Sequence, residues 1–245
     1  MQTDEEGQQE SGQPSPRARR VLTAFLLLLV AVFVVLGTWQ VQRLFWKLDL
    51  IARVDARVHA DPVPAPSDAV DAATDEYRHV TATGLFEHDK TVLVQAVTGR
   101  GAGFWVVTPL QPDGGPTILI NRGFVPADRS SEDARLASAL AAGPVTVTGL
   151  LRITEPGGGF LRANDPAGDR WFSRDVAAIA AAKGLRNVAP YFIDADATPN
   201  PGGLPVGGLT VVTFRNSHLV YALTWYALAL MSVVAAYSVH RRRFV

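Results

Sequence analysis

Four polar residues of different chemistry share one turn near the end of the chain: Arg215, Asn216, Ser217 and His218. An apolar run follows at once, with Tyr221, Trp225 and Tyr226 inside its first turns. Tyr and Trp at the end of such a run are ordinary for a membrane interface. Long polar side chains there reach back to water. That accounts for the aromatic residues better than for the polar turn. On a helix, His218, Ala222, Trp225, Ala229, Ser232 and Ala236 fall at 0, +4, +7, +11, +14 and +18. They share one face, and most are small. Ala24, Ala31 and Thr38 make a similar heptad-spaced stripe near the other end of the chain.

Small faces let two helices approach closely, or leave a slot for a flat ligand. An imidazole at the mouth of such a slot has the chemistry to ligate haem iron. Structural hydrogen bonding is the commoner use of such a histidine, and spacing alone leaves both open. Other chemistry is scarce. The chain has no Cys and 2 Met, which excludes disulfides, thiolate metal sites and a Met-rich copper site. It has no P-loop lysine motif, G-x-S-x-G or H-E-x-x-H. Gly99–Gly103 imitates part of a dinucleotide fingerprint but lies between two β-type runs, so a hairpin turn is the expectation. His59, His79 and His88 stand singly and read as surface or loop residues. Lys+Arg and Asp+Glu are both 23, so the chain lacks the net basic field of a nucleic-acid binder.

Two apolar runs must position these residues. Val21–Leu36, extended to Trp39, makes about 28 Å of helix at about 1.5 Å per residue; Leu219–Val239 makes about 31 Å. Both match a hydrocarbon core of about 30 Å. Gly37-Thr38-Trp39-Gln40 offers no small-x-small cleavage site, which favours an anchor over a cleaved signal peptide. Arg17, Arg19 and Arg20 precede the first run, and Arg241, Arg242 and Arg243 follow the second. The positive-inside rule places both clusters in the cytoplasm and the long middle segment outside. The acidic beginning of the chain is unlike a mitochondrial transit peptide, which points to a bacterial inner membrane with a periplasmic middle domain.

The expected organisation is as follows. Residues 1–20 form a disordered cytoplasmic tail, 21–39 the first transmembrane helix and 40–60 a juxtamembrane helix. Residues 61–75 form a Pro-rich linker, 76–215 a β-rich domain, 216–239 the second transmembrane helix and 240–245 a basic cytoplasmic tail. Short β-branched or aromatic runs at Tyr77–Leu85, Thr91–Val97, Phe104–Leu110 and Thr117–Phe124 predict an antiparallel meander. Further strands are expected at Val145–Ile153, Tyr191–Asp194 and Leu209–Phe214, and loops at Gly157–Gly159 and Asn164–Gly168. Helices are expected at Ser130–Ala142 and at Ser173–Lys183, the latter with Ser173 as N-cap and Gly184 as its stop. The fold class is thus a mainly β, antiparallel, closed or nearly closed domain flanked by two transmembrane helices.

The ordered motifs resemble a known family. They begin with Gly37-Thr38-Trp39-Gln40, Arg43, Trp46 and Lys47. Val107-Thr108-Pro109-Leu110 and Asn121-Arg122-Gly123-Phe124-Val125-Pro126 follow. Gly149, Arg152, Asn164-Asp165 and Trp171 come next. Asn216-Ser217-His218-Leu219, Tyr221-Ala222 and Thr224-Trp225 complete the series. In this order, between two terminal spans, they resemble the Surfeit locus protein 1 family of cytochrome c oxidase assembly factors. Phe124 and Tyr226 depart from the aromatic residues usual in that family.

The resemblance implies a non-enzymatic role in maturing oxidase subunit I and a transient, non-covalent association with haem a. It equates the family's second-span histidine with His218, and the tryptophan ending its first span with Trp39. On that footing His218 is the expected iron ligand. Trp39 and Trp225 are expected to flank the macrocycle, and Arg43 or Arg215 to pair with its propionates. Expected partners are oxidase subunit I, haem a synthase and the lipid bilayer. A scaffold that stabilises an oxidase intermediate without haem uses the same spans and domain. A sensor fits poorly, because the expected cytoplasmic parts are too small for an output domain. Copper delivery lacks its usual sulfur ligands.

Overall fold

Ser15 and Pro16 open the first element: the Ser15 hydroxyl accepts from the Ala18 amide at 3.3 Å, and Pro16 takes the first helical position. In this computed structural model, residues 15–129, 143–159 and 161–241 are described. The acidic start of the expected tail, the expected helix at Ser130–Ala142, and Arg242 and Arg243 lie outside them. Helix α1 runs unbroken over Pro16–Val58 and stops before Asp61-Pro62, where proline disfavours a helical predecessor.

The chain divides into two compact units, residues 1–51 with 214–245 and residues 52–213. In the first unit, α1 and the last helix (Pro16–Val58 and His218–Arg241) are both long and apolar enough to cross a membrane. Their apolar side chains, among them Phe25, Leu28, Val35, Leu223 and Val234, are exposed. Surface of that kind suits lipid better than water.

The second unit is a β domain. Its strands are β1 (Val63–Pro64), β2 (His79–Phe86), β3 (Val92–Thr98), β4 (Gly101–Pro112) and β5 (Thr117–Pro126). After these come β6 (Val145–Ile153), the short hairpin β7–β8 (Gly158–Gly159 and Arg162–Ala163) and β9 (Val188–Ala195). Among the described residues it also has helices α2 (Ala72–Asp75) and α3 (Val176–Ala182), and the last helix of the first unit is α4 (His218–Arg241). The sheet order is β1-β2-β6-β9-β5-β4-β3, and β2 also pairs with β4, so five strands close into a ring. Closure removes the free edges of those five strands, while β1 and β3 remain at the ends of the sheet.

Alternation along the strands builds two cores. Val80, Leu110, Ile118, Ile120, Leu151, Tyr191 and Ile193, contributed by all five ring strands, form one cluster. Leu119 and Phe192, pointing the other way, join Val92, Val94, Val107, Trp171 and the α3 residues Val176 and Ile179 in the second. Strand β5 is buried on both faces from Thr117 to Val125. Gly123 has φ of 133°, and a Cβ there would lie 2.2 Å from the Val206 carbonyl oxygen. Phe124 and Val206 exchange two main-chain hydrogen bonds of 2.9 Å at this crossing.

Four expectations need correction. The domain is not a simple antiparallel meander: β3, β4 and β5 follow one another antiparallel, but β2 pairs with β6, and β5 pairs with β9 in parallel. Leu209–Phe214 has the composition of a strand but is not one: it pairs with no strand among the described residues. Helix α3 begins later than expected and is capped by Asp175, whose side chain accepts from the Ala178 amide at 3.1 Å. The Ser173 hydroxyl is committed instead to the Glu155 carbonyl. Finally, Gly158 and Gly159 belong to a two-residue strand rather than a loop.

Candidate functional site

His218 is the first residue of α4, and Asn216 Oδ1 accepts from its amide at 3.3 Å. The preceding polar turn starts the helix: Ser217 accepts the first main-chain bond, from Tyr221. The His218 side chain is half-buried, and its Nδ1–H donates to Oε1 of Gln40 on α1 at 2.7 Å. That bond fixes the tautomer and points the lone pair of Nε2 away from Gln40. A ring held by its other nitrogen is the usual arrangement of a metal-binding histidine. Gln40 was not singled out as a site residue from the sequence, although it stands in the motif that ends the first apolar run.

The other expected site residues are distributed unevenly. Trp39, 49% exposed, lies beneath the Arg43 guanidinium, 6.0 Å from its ring centre. Arg43 also covers Trp46 at 5.0 Å. Both Arg43 and Arg215 are exposed, with their charges open to a ligand carboxylate. Trp225 stacks on Phe33 at 5.7 Å and 27°, which commits one face of its ring. Ala222, Ala229, Ser232 and Ala236 of the small face are the buried residues of α4. Tyr226 closes over Gly37, where a Cβ would meet its ring at 2.8 Å, and its hydroxyl lies 3.2 Å from that of Thr38. The structure therefore joins His218 to Gln40, and Trp39 to Arg43. It places Trp225 in a packing role.

The donor set fits haem in part. One imidazole nitrogen is uncommitted, an exposed indole is close by in sequence, and two exposed arginines are available for propionates. The stacked Trp225 fits less well. Among the described residues no group of three or more His, Asp or Glu side chains converges on a point that would hold a bare metal ion.

The β domain carries a second polar centre that the sequence reading missed. Asp194, 3% exposed, ends an apolar stretch of β9. Its Oδ1 accepts from Asn121 at 2.7 Å and Arg174 at 2.9 Å. Its Oδ2 accepts from Arg152 at 2.9 Å and Thr210 at 3.0 Å. Glu155 binds the Arg174 guanidinium from the other side. Burial works against both members of that pair. It would raise the Glu155 carboxyl, but the bonds and charge of Arg174 outweigh it and hold the carboxyl below its usual range. The Arg174 guanidinium is held above its ordinary value despite desolvation, by Asp194 and Glu155. Its plane also lies over the Phe192 ring at 4.6 Å. The signal in the sequence was a lone Asp closing Tyr191-Phe192-Ile193, since a buried carboxylate requires buried cations.

Several motif residues hold the fold rather than a ligand. Asn164 Oδ1 accepts from the Phe172 and Ser173 amides, and Asp165 clasps Arg170. Arg122 stacks over Phe86 at 4.8 Å and donates to Asn200 Oδ1; burial lowers its guanidinium to about 10. His59 and His79 bond the carbonyls of Asp55 and Ala60, and His88 packs on Phe86.

Fold and site together define a closed β domain inserted between two apolar helices, with a buried ion network in the domain and one oriented imidazole where the second helix begins. The SURF1 family profile matches residues 27–230. Surfeit locus protein 1 of Mus musculus is 41% identical over 220 residues, covering 83% of this chain and 71% of its own. Surfeit locus protein 1 of Homo sapiens is 40% identical over 223 residues, covering 83% and 72%. The SURF1-like protein of Drosophila melanogaster is 35% identical over 224 residues, covering 84% and 73%. The chain belongs to the SURF1 family.

Proposed function

We propose that this chain is an assembly factor for cytochrome c oxidase that holds haem a at His218 while oxidase subunit I matures. It acts in a bacterial inner membrane, with both termini cytoplasmic and the β domain periplasmic. It has no catalytic step of its own. Family membership supports the assembly role. The observation that carries the haem reading is the His218–Gln40 bond, which leaves Nε2 of a fixed imidazole free.

In this reading His218 would ligate the iron, Trp39 would offer an exposed indole face, and Arg43 or Arg215 would pair with the propionates. Haem a contributes the iron and the macrocycle that subunit I requires. The chain's part is to bind, orient and release it; haem a synthase is the natural donor. The stacking of Trp225 on Phe33 favours one specific alternative, in which the helices serve as a haem-free scaffold for an oxidase intermediate.

The test is the visible spectrum and haem content of the protein purified from cells that make haem a. His218→Ala should insert and accumulate, yet lose most co-purifying haem. Variants at His59, His79 or His88 should keep it. Unchanged haem stoichiometry and spectrum in His218→Ala would leave the scaffold as the better reading.

A further inference from the structure

The β3–β4 hairpin and the segment after Gly207 enclose a cavity of about 520 Å³, within the range of ligand-sized sites. Trp105, Asn121 and the Arg152–Asp194–Arg174 network line its inner wall. Asp194 already receives four donors, two on each oxygen, so the inner wall has no carboxylate left for a cationic ligand. Its free capacity is of the opposite kind. The Arg100 guanidinium at the hairpin tip has no ion pair among the described residues, and the Trp105 indole N–H has no protein acceptor among them. The mouth is apolar: Val97 is 85% and Val211 is 76% exposed.

Main-chain groups at the mouth are also unspent. Among the described residues, Leu209–Thr213 make no main-chain hydrogen bond. On the opposite wall, β3 is the last strand of its sheet, and beyond Gln95, which bonds Trp171, its outer edge is open at Val97. Alternating free N–H and C=O groups are best satisfied by another main chain. A small carboxylate would answer Arg100 but leave these groups and the two valines bare.

We infer that this cleft receives an extended, acidic segment of a partner polypeptide. Its main chain pairs with Leu209–Thr213, its Asp or Glu carboxylate meets Arg100, and its apolar side chains cover Val97 and Val211. The inference rests on the assembly reading only for the existence of a partner; it needs neither haem nor His218.

The test uses the full chain in phosphatidylcholine nanodiscs. The probe is a fluorescent nonapeptide of alternating Val and Thr with a central Glu, blocked at both ends, followed by polarisation. The Glu peptide should bind at least tenfold more tightly than its Lys counterpart. Arg100→Glu, in an exposed turn, should invert that preference without changing the circular dichroism. N-methylation of alternate peptide amides should weaken binding at least tenfold, and excess octanoate should not displace the peptide. Absent binding, equal binding of Glu and Lys peptides, or indifference to Arg100→Glu would overturn the proposal. So would displacement by octanoate together with indifference to N-methylation, which would mark a small-carboxylate site. None of these results depends on the haem content or spectrum of the purified protein, so this proposal and the proposed function fail separately.

Discussion

Oε1 of Gln40 accepts from Nδ1 of His218 at 2.7 Å, joining the end of the first apolar run to the first residue of α4. A neutral imidazole donates with one nitrogen and offers a lone pair on the other, so this bond decides which nitrogen is available. In the haem reading, that makes Gln40 a positioning residue for His218.

Gln40→Ala should therefore lower co-purifying haem less than His218→Ala does. Partners of metal-binding histidines cost roughly 10–100-fold in affinity when removed. Gln40→Glu keeps an acceptor and should retain most of the haem. Pyridine haemochrome assays on the three variants give the ranking. Full haem content in Gln40→Ala would show that the bond serves helix packing alone.

Asp194 is the keystone of the ion network, so its loss should be costly. Asp194→Ala leaves Arg152 and Arg174 facing each other without their shared carboxylate, and breaking a buried pair costs about 3–5 kcal/mol. The expected result is a large fall in the melting temperature, read by near-ultraviolet circular dichroism. The triple variant Asp194→Ala, Arg152→Met, Arg174→Met should recover part of it, because uncompensated charge is the main cost. A melting temperature within a degree or two of the parent in Asp194→Ala would refute this account.

What the sequence reveals and hides differs by element. Continuous apolar character made the central part of α1 and most of α4 legible, since each run is long enough for many helical turns. Local β-branched runs located β2 through β6 within a few residues. Pairing was not legible: the parallel contact of β5 with β9 joins segments about seventy residues apart in sequence, and no local signal carries it. Leu209–Phe214 misled for the same reason, because β propensity alone does not decide which strands pair. At the candidate site, His218 stood out by its place against an apolar run. Gln40 did not, because its role depends on a helix that begins 178 residues later in sequence. Asp194 was obscured by many other carboxylates whose burial cannot be read from type.

Gly123→Ala should damage the β domain far more than most glycine substitutions. Its φ of 133° disfavours any side chain, and the Val206 carbonyl occupies the place of a Cβ. Such a strained position alone costs about 1–3 kcal/mol. Relief would also require breaking the Phe124–Val206 bonds that hold the Pro/Gly loop to β5. Faster limited proteolysis at 198–208 is the expected readout. Gly99→Ala, with open space around its Cβ, is the control that should change nothing.

Acid should loosen the β domain through Glu155. Burial alone would raise this carboxyl, yet the hydrogen bonds and charge of Arg174, helped by Arg152, bring its value in the folded chain below the ordinary 4.5. A carboxyl depressed by folding stabilises the fold fully above its unfolded value, and the contribution disappears as pH falls through the folded value. The melting temperature should therefore hold steady from neutral pH to about pH 5, then fall as acid is added. Glu155→Gln keeps the side-chain size but cannot titrate. It should start from a lower melting temperature at pH 7 and show a shallower decline below pH 5. Thermal melts of parent and variant at several pH values make the comparison. Parallel curves for the two proteins would mean that acid acts elsewhere in the domain.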